Sequence, residues 1–293
     1  MWNLVSGPSL SLNEAPVDTF SWWDWHWHTD LHGGLILFAG IYLILIGPLK
    51  DRLVEPGTAK ASRLQILSFL GAMLVMLLAL SGPVHELADN YLFSAHMGQH
   101  ILLTLVVPPM LLLGTPGWIL RPIITIGIIY RVAHFLTVPL VAFLLFNSIF
   151  AVWHFPVFYE GALLNHEIHI IEHLIFIAVA VIVWWPILSP LPELPRLPYP
   201  GQLLYLVLLS IAQTPLFATI TFSSEPIYSF YEAAPRLWGI SPLVDQQLGG
   251  IIMKVCWMVV FLPSICIVFL RWFYREENEG RPEFQPANKP DLA

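Results

Sequence analysis

The stretch Ile168-His169-Ile170-Ile171-Glu172-His173-Leu174-Ile175-Phe176-Ile177-Ala178-Val179-Ala180-Val181-Ile182-Val183-Trp184-Trp185-Pro186-Ile187 decides the class of this protein. At 1.5 Å per residue, twenty residues cover the roughly 30 Å apolar core of a bilayer. A glutamate and two histidines stand inside that run. Ionisable groups at such a depth are costly against lipid, so they face a bundle interior, a partner or a water-filled cavity.

The rest of the chain agrees with this reading. Of 293 residues, 57% are hydrophobic and only 11% charged, with mean hydropathy +0.70, more apolar surface than one soluble domain can bury. Apolar runs of spanning length fall at 32–49, 64–83, 96–114, 132–153, 168–187, 202–222 and 248–270. A shorter run at 122–130, between Arg121 and Arg131, is too short to cross and is expected to rest at the inner interface. The expected fold is all-α: seven transmembrane helices over 32–274, preceded by an extracytoplasmic Trp/His-rich segment at 1–31. A disordered cytoplasmic tail follows at 275–293.

Orientation follows from the basic residues, because cationic loops stay cytoplasmic. Lys50, Arg52, Lys60, Arg63, Arg121, Arg131, Arg196, Arg271, Arg275, Arg281 and Lys289 all fall on one side of the seven spans. Arg236 alone falls on the other, and Lys254 lies within the last span. The N-terminus is thus expected outside and the C-terminus in the cytoplasm. The first thirty residues lack a basic n-region and a continuous apolar core, so they do not read as a signal peptide. Residues 20–28, rich in tryptophan, suit an aromatic anchor at headgroup level.

Several function classes find no support in the sequence. It has no fixed-period repeat, no glycine-rich phosphate loop and no basic patch suited to nucleic acid. His166-Glu167-Ile168-His169-Ile170 comes close to the H-E-x-x-H zinc-protease signature but has Ile170 in place of the second histidine. Cys256 and Cys266 lie ten residues apart on the last helix, roughly 15 Å along its axis and too far for a disulfide. They read most simply as core residues, with a redox or metal thiol at Cys256 as the alternative.

The histidines are distributed unevenly. Of eleven, only His134 falls on the basic side. His26, His28 and His32 precede or open the first span, and His85 sits in the loop after the second. His96 and His100 open the third span, His154 closes the fourth, and His166, His169 and His173 open the fifth. On a helix His96 and His100 lie about 40° apart, and His166, His169 and His173 fall within an arc of about 60° flanked by Glu172. A single histidine near a helix end is more often an interfacial or hydrogen-bonded group than a ligand. Paired imidazoles at matching depth on two helices point instead to a shared metal site. Met97 and Met253 offer soft thioethers, although Met usually packs. Lys254 is a candidate partner of Glu172, with Asp245 competing. Imidazoles with optional sulfur ligands suit copper or zinc, copper somewhat better at an outer face, whereas magnesium or calcium would require several carboxylates.

Several of these residues also carry a family resemblance. Pro83-Val84-His85-Glu86-Leu87-Ala88 and Tyr91-Leu92-Phe93-Ser94-Ala95-His96-Met97-Gly98-Gln99-His100-Ile101-Leu102-Leu103 resemble the signature of the CtaG family of bacterial cytochrome c oxidase assembly factors. Trp153-His154-Phe155-Pro156, His169-Ile170-Ile171-Glu172-His173, Trp184-Trp185-Pro186 and Asp245-Gln246-Gln247-Leu248-Gly249-Gly250 extend the likeness from the first span to the seventh. The resemblance implies a multi-pass protein of the bacterial cytoplasmic membrane, without enzymatic turnover, that helps form the copper centre of the oxidase's catalytic subunit. Its histidine motifs land on His85, His96, His100, His154, His169 and His173, with Glu172 and Asp245 as acidic neighbours. His26, His28 and His32 lie outside the matched parts. The expected partners are the oxidase catalytic subunit, an extracytoplasmic copper carrier and membrane lipid, with copper as the metal and no nucleic acid. The alternatives are a haem b electron carrier, with His100 and His173 as axial ligands, and a copper transporter lined by Asn147, Gln213 and Thr214.

Overall fold

The computed structural model describes residues 20–23, 25, 29–55 and 57–279, and every regular element among them is helical. Residues 1–19, 24, 26–28, 56 and the tail from 280, with His26 and His28 among them, lie outside the described residues. Helix α1 (Thr29–Ile46) presents Ile36, Leu37, Ile41 and Ile44 outward. After the short α2 (Lys50–Leu53), α3 (Arg63–Leu80) opens with a capping box. Ser62 Oγ accepts from Gln65 N–H, and Gln65 Oε1 accepts from Ser62 N–H. Helix α4 (Gly82–Asn90) follows α3 and packs against both α3 and α5 (Phe93–Ile101).

Helix α5 passes through a π-helical turn at Leu102–Val106 into α6 (Val107–Gly114). The turn follows from the prolines that come after it. Pro108 has no N–H to give the Thr104 carbonyl, and Val107 N–H reaches back to Leu102 O. The freed Thr104 carbonyl accepts from Trp184 Nε1 at 3.1 Å.

Helices α7 (Gly117–Ile124) and α8 (Gly127–Leu136) meet at a bend of 114°, and α9 (Pro139–Trp153) and α10 (Pro156–Leu163) at 71°. The chain continues through α11 (His166–Leu188), α12 (Tyr199–Ala212), α13 (Thr214–Thr221), α14 (Ser229–Ala233) and α15 (Pro242–Glu279). Six helical segments are long and apolar enough to cross a membrane, and up to eight if each bent pair counts as one span.

Three expectations need correction. The run 132–153 is not one helix, because α8 stops at Leu136 and α9 starts at Pro139. Proline disfavours helical geometry at the preceding residue, and Val138 is accordingly non-helical at ψ 126°. His85 lies on α4 and not in a loop. The last helix runs to Glu279, so the first residues of the expected tail are helical.

The interior is aromatic and tightly fitted. Phe93, Phe146, Phe150, Phe176, Trp184, Trp257 and Phe261 belong to one buried cluster that joins α5, α9, α11 and α15. A second cluster joins α1, α3 and α5–α6, with Tyr42 and Phe69 stacked at 3.7 Å. Small residues permit the close approaches: a Cβ on Gly249 would sit 2.5 Å from the Phe93 ring, so α15 can lie against the start of α5 only with glycine there. Met97 and Met253 are wholly buried and belong to this packing. Cys256 packs against the core, while Cys266 is exposed on α15 and is not a core residue.

Candidate metal centre

Four helices carry imidazoles to one end of the bundle. Asn165 starts α11 there, its Oδ1 accepting from Glu167 and Ile168 N–H, which sets the first turn that bears His166, His169 and His173. Asp245 of α15 starts α5 in the same way from a distance in sequence, accepting from Phe93 N–H at 2.7 Å and Ser94 N–H at 3.1 Å. Asp245 therefore positions the helix bearing His96 and His100 without touching the histidines. Gln246 holds the chain ahead of α14, accepting from Ile227 N–H at 2.6 Å.

The rings converge closely. His96 and His100 lie 4.3 Å apart between centroids, and their Nε2 atoms are 2.8 Å apart. His169 stands 5.3 Å from His96 and 4.3 Å from His173, and His100 stands 5.4 Å from His173. His85 and His154 flank the group at 6.2 Å from His169 and 6.3 Å from His100. His96 and His100 are at most 1% exposed. Two sets of side chains each bring one ligand atom per residue to within 4.8 Å of one another: His96, His169 and His173, and His96, His100 and Glu172.

The hydrogen-bond network assigns some ring nitrogens. A carbonyl can only accept, so His154 Nδ1–H donates to Phe150 O at 2.6 Å, which leaves a lone pair on its buried Nε2. Gln99 Nε2 donates to Ala79 O at 2.8 Å and lies 3.2 Å from His85 Nδ1. As an acceptor there, His85 turns its Nε2–H toward Asp89 Oδ2 at 3.4 Å. His100 Nδ1, His169 Nε2, His173 Nε2 and Glu172 Oε1 are buried without a hydrogen-bond partner among the described residues.

The remaining expected residues lie elsewhere. His166 is exposed at the rim, where it lines a cavity of about 500 Å³ with His85, His169 and His173. The cavity continues between apolar side chains of α1, α3 and α11, including Leu35, Phe38, Met76 and Ile177. Lys254 pairs with neither Glu172 nor Asp245, since its Nζ donates to Thr214 Oγ1 at 3.1 Å and Ser210 O at 3.4 Å. Helix α15 turns that face toward α12 and α13. His32 lies on α1 in a separate groove beside Trp25 and Met73, and His134 packs beside Tyr130 on α8.

Asp89 was missed in the sequence and lies at the centre. Its carboxylate is 3.4 Å from both His85 Nε2 and His169 Nδ1, and 3.9 Å from His96 Nδ1. Burial, with the Glu86 charge beside it, pushes the Asp89 carboxyl up to about 8, and a cation in the site would draw it down again. The available signal was His85 and Asp89 four residues apart, a helical pairing hidden by treating the segment as a loop. Tyr159, 5.2 Å from His96, closes the cluster toward α14 through Tyr231, whose hydroxyl donates to Ala88 O at 2.7 Å.

A cluster of unpaired imidazole nitrogens with two carboxylates fits copper or zinc and lacks the many oxygens of a calcium site. Comparison with known proteins adds an identity. Uncharacterized proteins of Mycobacterium bovis and Mycobacterium tuberculosis are each 30% identical over 205 residues, 64% of this chain and 30% of the relative. One from Mycobacterium leprae is 29% identical over 195 residues, 60% of this chain and 29% of the relative. The chain thus spans less than a third of the length of these curated relatives. No solved structure matches it. The family model described as cytochrome c oxidase caa3 assembly factor matches residues 40–275, and the chain belongs to that family, CtaG.

Proposed function

We propose that this assembly factor acts by handling copper: it takes the ion from an extracytoplasmic carrier protein, holds it between α5 and α11, and passes it laterally to the oxidase catalytic subunit without catalytic turnover. The observation that carries this reading is the set of buried imidazole nitrogens with no hydrogen-bond partner among the described residues. A buried polar atom left open costs about 1–3 kcal/mol, and a metal ion offsets that cost for several atoms together. Copper is the cargo here. His96, His100, His169 and His173 are the ligands, with His85 and His154 at the flanks, and exchange among them one at a time suits transfer better than a rigid cage. Asp89 orients His85 and His169, as carboxylates commonly do at metal-bound imidazoles.

In this reading the chain has seven spans in the bacterial cytoplasmic membrane, N-terminus outside. The bent pair α9–α10 is the seventh, and α7–α8 lies at the inner interface. The eleven basic residues on one side support that orientation. His100→Ala or His173→Ala is expected to lower copper retained by the purified chain and to leave oxidase present but copper-poor. Unchanged copper content in both variants overturns the reading. The geometry favours neither alternative. A haem needs its macrocycle between two axial imidazoles, and the His100 and His173 rings are edge-to-face at 5.4 Å. A transport path needs open polar groups beyond the cluster, and Gln213 and Asn147 are hydrogen-bonded to each other.

A further inference from the structure

We propose that the histidine end contains a second metal position, formed by His96, His100 and Glu172, which takes a divalent ion and competes with the three-histidine position for His96. The inference rests on the copper reading above and refines it. The four histidines do not form one cage. With Glu172 they divide into two triads that have only His96 in common, each with donor atoms within 4.8 Å. Bonds of about 2.0–2.1 Å to a tetrahedral ion need donors closer than that, so each triad closes by a small side-chain adjustment.

The two triads differ in chemistry. His96, His169 and His173 offer three neutral nitrogens, suited to Cu(I), with His100 exchanging onto the ion when the second position is empty. His96, His100 and Glu172 offer two nitrogens and a carboxylate, a ligand set suited to a divalent ion such as zinc. Glu172 supplies an independent observation. It is 1% exposed, its Oε1 has no hydrogen-bond partner among the described residues, and the basic group within 4 Å is His100 Nε2 at 3.7 Å. Lys254, the cation that could have neutralised it, is committed to α12 and α13. A carboxylate buried in this way stays ionised only with a cation beside it.

Competition follows from the His96 ring. Its Nε2 faces His100 Nε2 at 2.8 Å, and its Nδ1 faces Asp89 Oδ1 at 3.9 Å. A neutral imidazole has one lone pair, so an ion held on one side of the ring withdraws His96 from the other.

The test is Cu(I) uptake by the full chain in detergent, with and without zinc, alongside zinc binding alone. Zinc is expected to lower Cu(I) uptake by the unmodified chain. Glu172→Gln, which preserves shape, should bind zinc at least about tenfold more weakly and take up Cu(I) undiminished by zinc. His169→Asn should show the reverse, holding zinc and losing Cu(I). Equal zinc competition in Glu172→Gln and the unmodified chain, or loss of both metals together in both variants, overturns the second position. A chain that holds zinc through Glu172 but takes no Cu(I) overturns the copper reading and leaves the divalent position standing.

Discussion

The histidine cluster and the rest of the bundle treat buried polar atoms in contrary ways. Away from the cluster, side chains close on one another. Asn147 Nδ2 donates to Phe143 O and Gln213 Nε2 to Asn147 Oδ1, both at 2.7 Å. Ser189 Oγ donates to Leu194 O at 2.6 Å, and Arg196 Nε donates to Ser189 O at 2.8 Å. At the histidine end, Asp89, His96, Gln99, His100, His154, His169, Glu172 and His173 each leave a buried atom open. Among the described residues only Glu193 Oε2 and Trp257 Nε1 do so elsewhere. Polar groups kept for architecture are satisfied because an open one is costly in a medium without water. In the copper reading, those left open at one end are the groups that an ion would engage.

This contrast can be broken or sharpened by substitution. The largest effect is expected from His96→Ala, which removes the donor common to both triads: copper and zinc retention should both fall to background in metal analysis, with the helical signal intact. Asp89→Asn should weaken copper retention by about 10-fold, within the range typical of groups that orient metal-bound imidazoles, and stability should change little. Gln213→Leu, away from the cluster, should do the converse. It opens Asn147 Oδ1 and should lower unfolding stability in detergent by about 1–3 kcal/mol, with copper retention unchanged. Asp245→Ala removes a cap from α5 and should cost about 1 kcal/mol with a modest loss of copper, because the cap positions His96 and His100. If Gln213→Leu and Asp89→Asn affect the same measurement, the division between the cluster and the rest of the bundle does not hold.

Much of the site was legible before any coordinates. His96 and His100, and likewise His169 and His173, are spaced four apart in runs apolar enough to be helical, so each pair had to share a face. Their depth in two spans opening on the same side made convergence plausible. Asp89 was harder to read, because nine residues between two spans are short for a helix to be recognised, and its role depends on how α4 packs against α3 and α5. The Glu172–Lys254 pairing failed for a related reason. Opposite charges at similar depth suggest attraction, but which face α15 turns toward α11 is set by Gly249 against Phe93 and by Asp245 on the start of α5.

The sequence by itself determined an all-helical membrane protein with imidazoles at one end, because hydropathy, span length and the 3.6-residue period are local properties of the chain. Only the tertiary structure brought four imidazoles and Glu172 into two overlapping groups that have His96 in common, set Asp89 beside them, turned Lys254 toward Thr214, buried Met97, and put Asp245 at the start of α5. Those outcomes depend on how helices rotate and cross, which is set by the fit of aromatic and glycine surfaces contributed from distant parts of the chain.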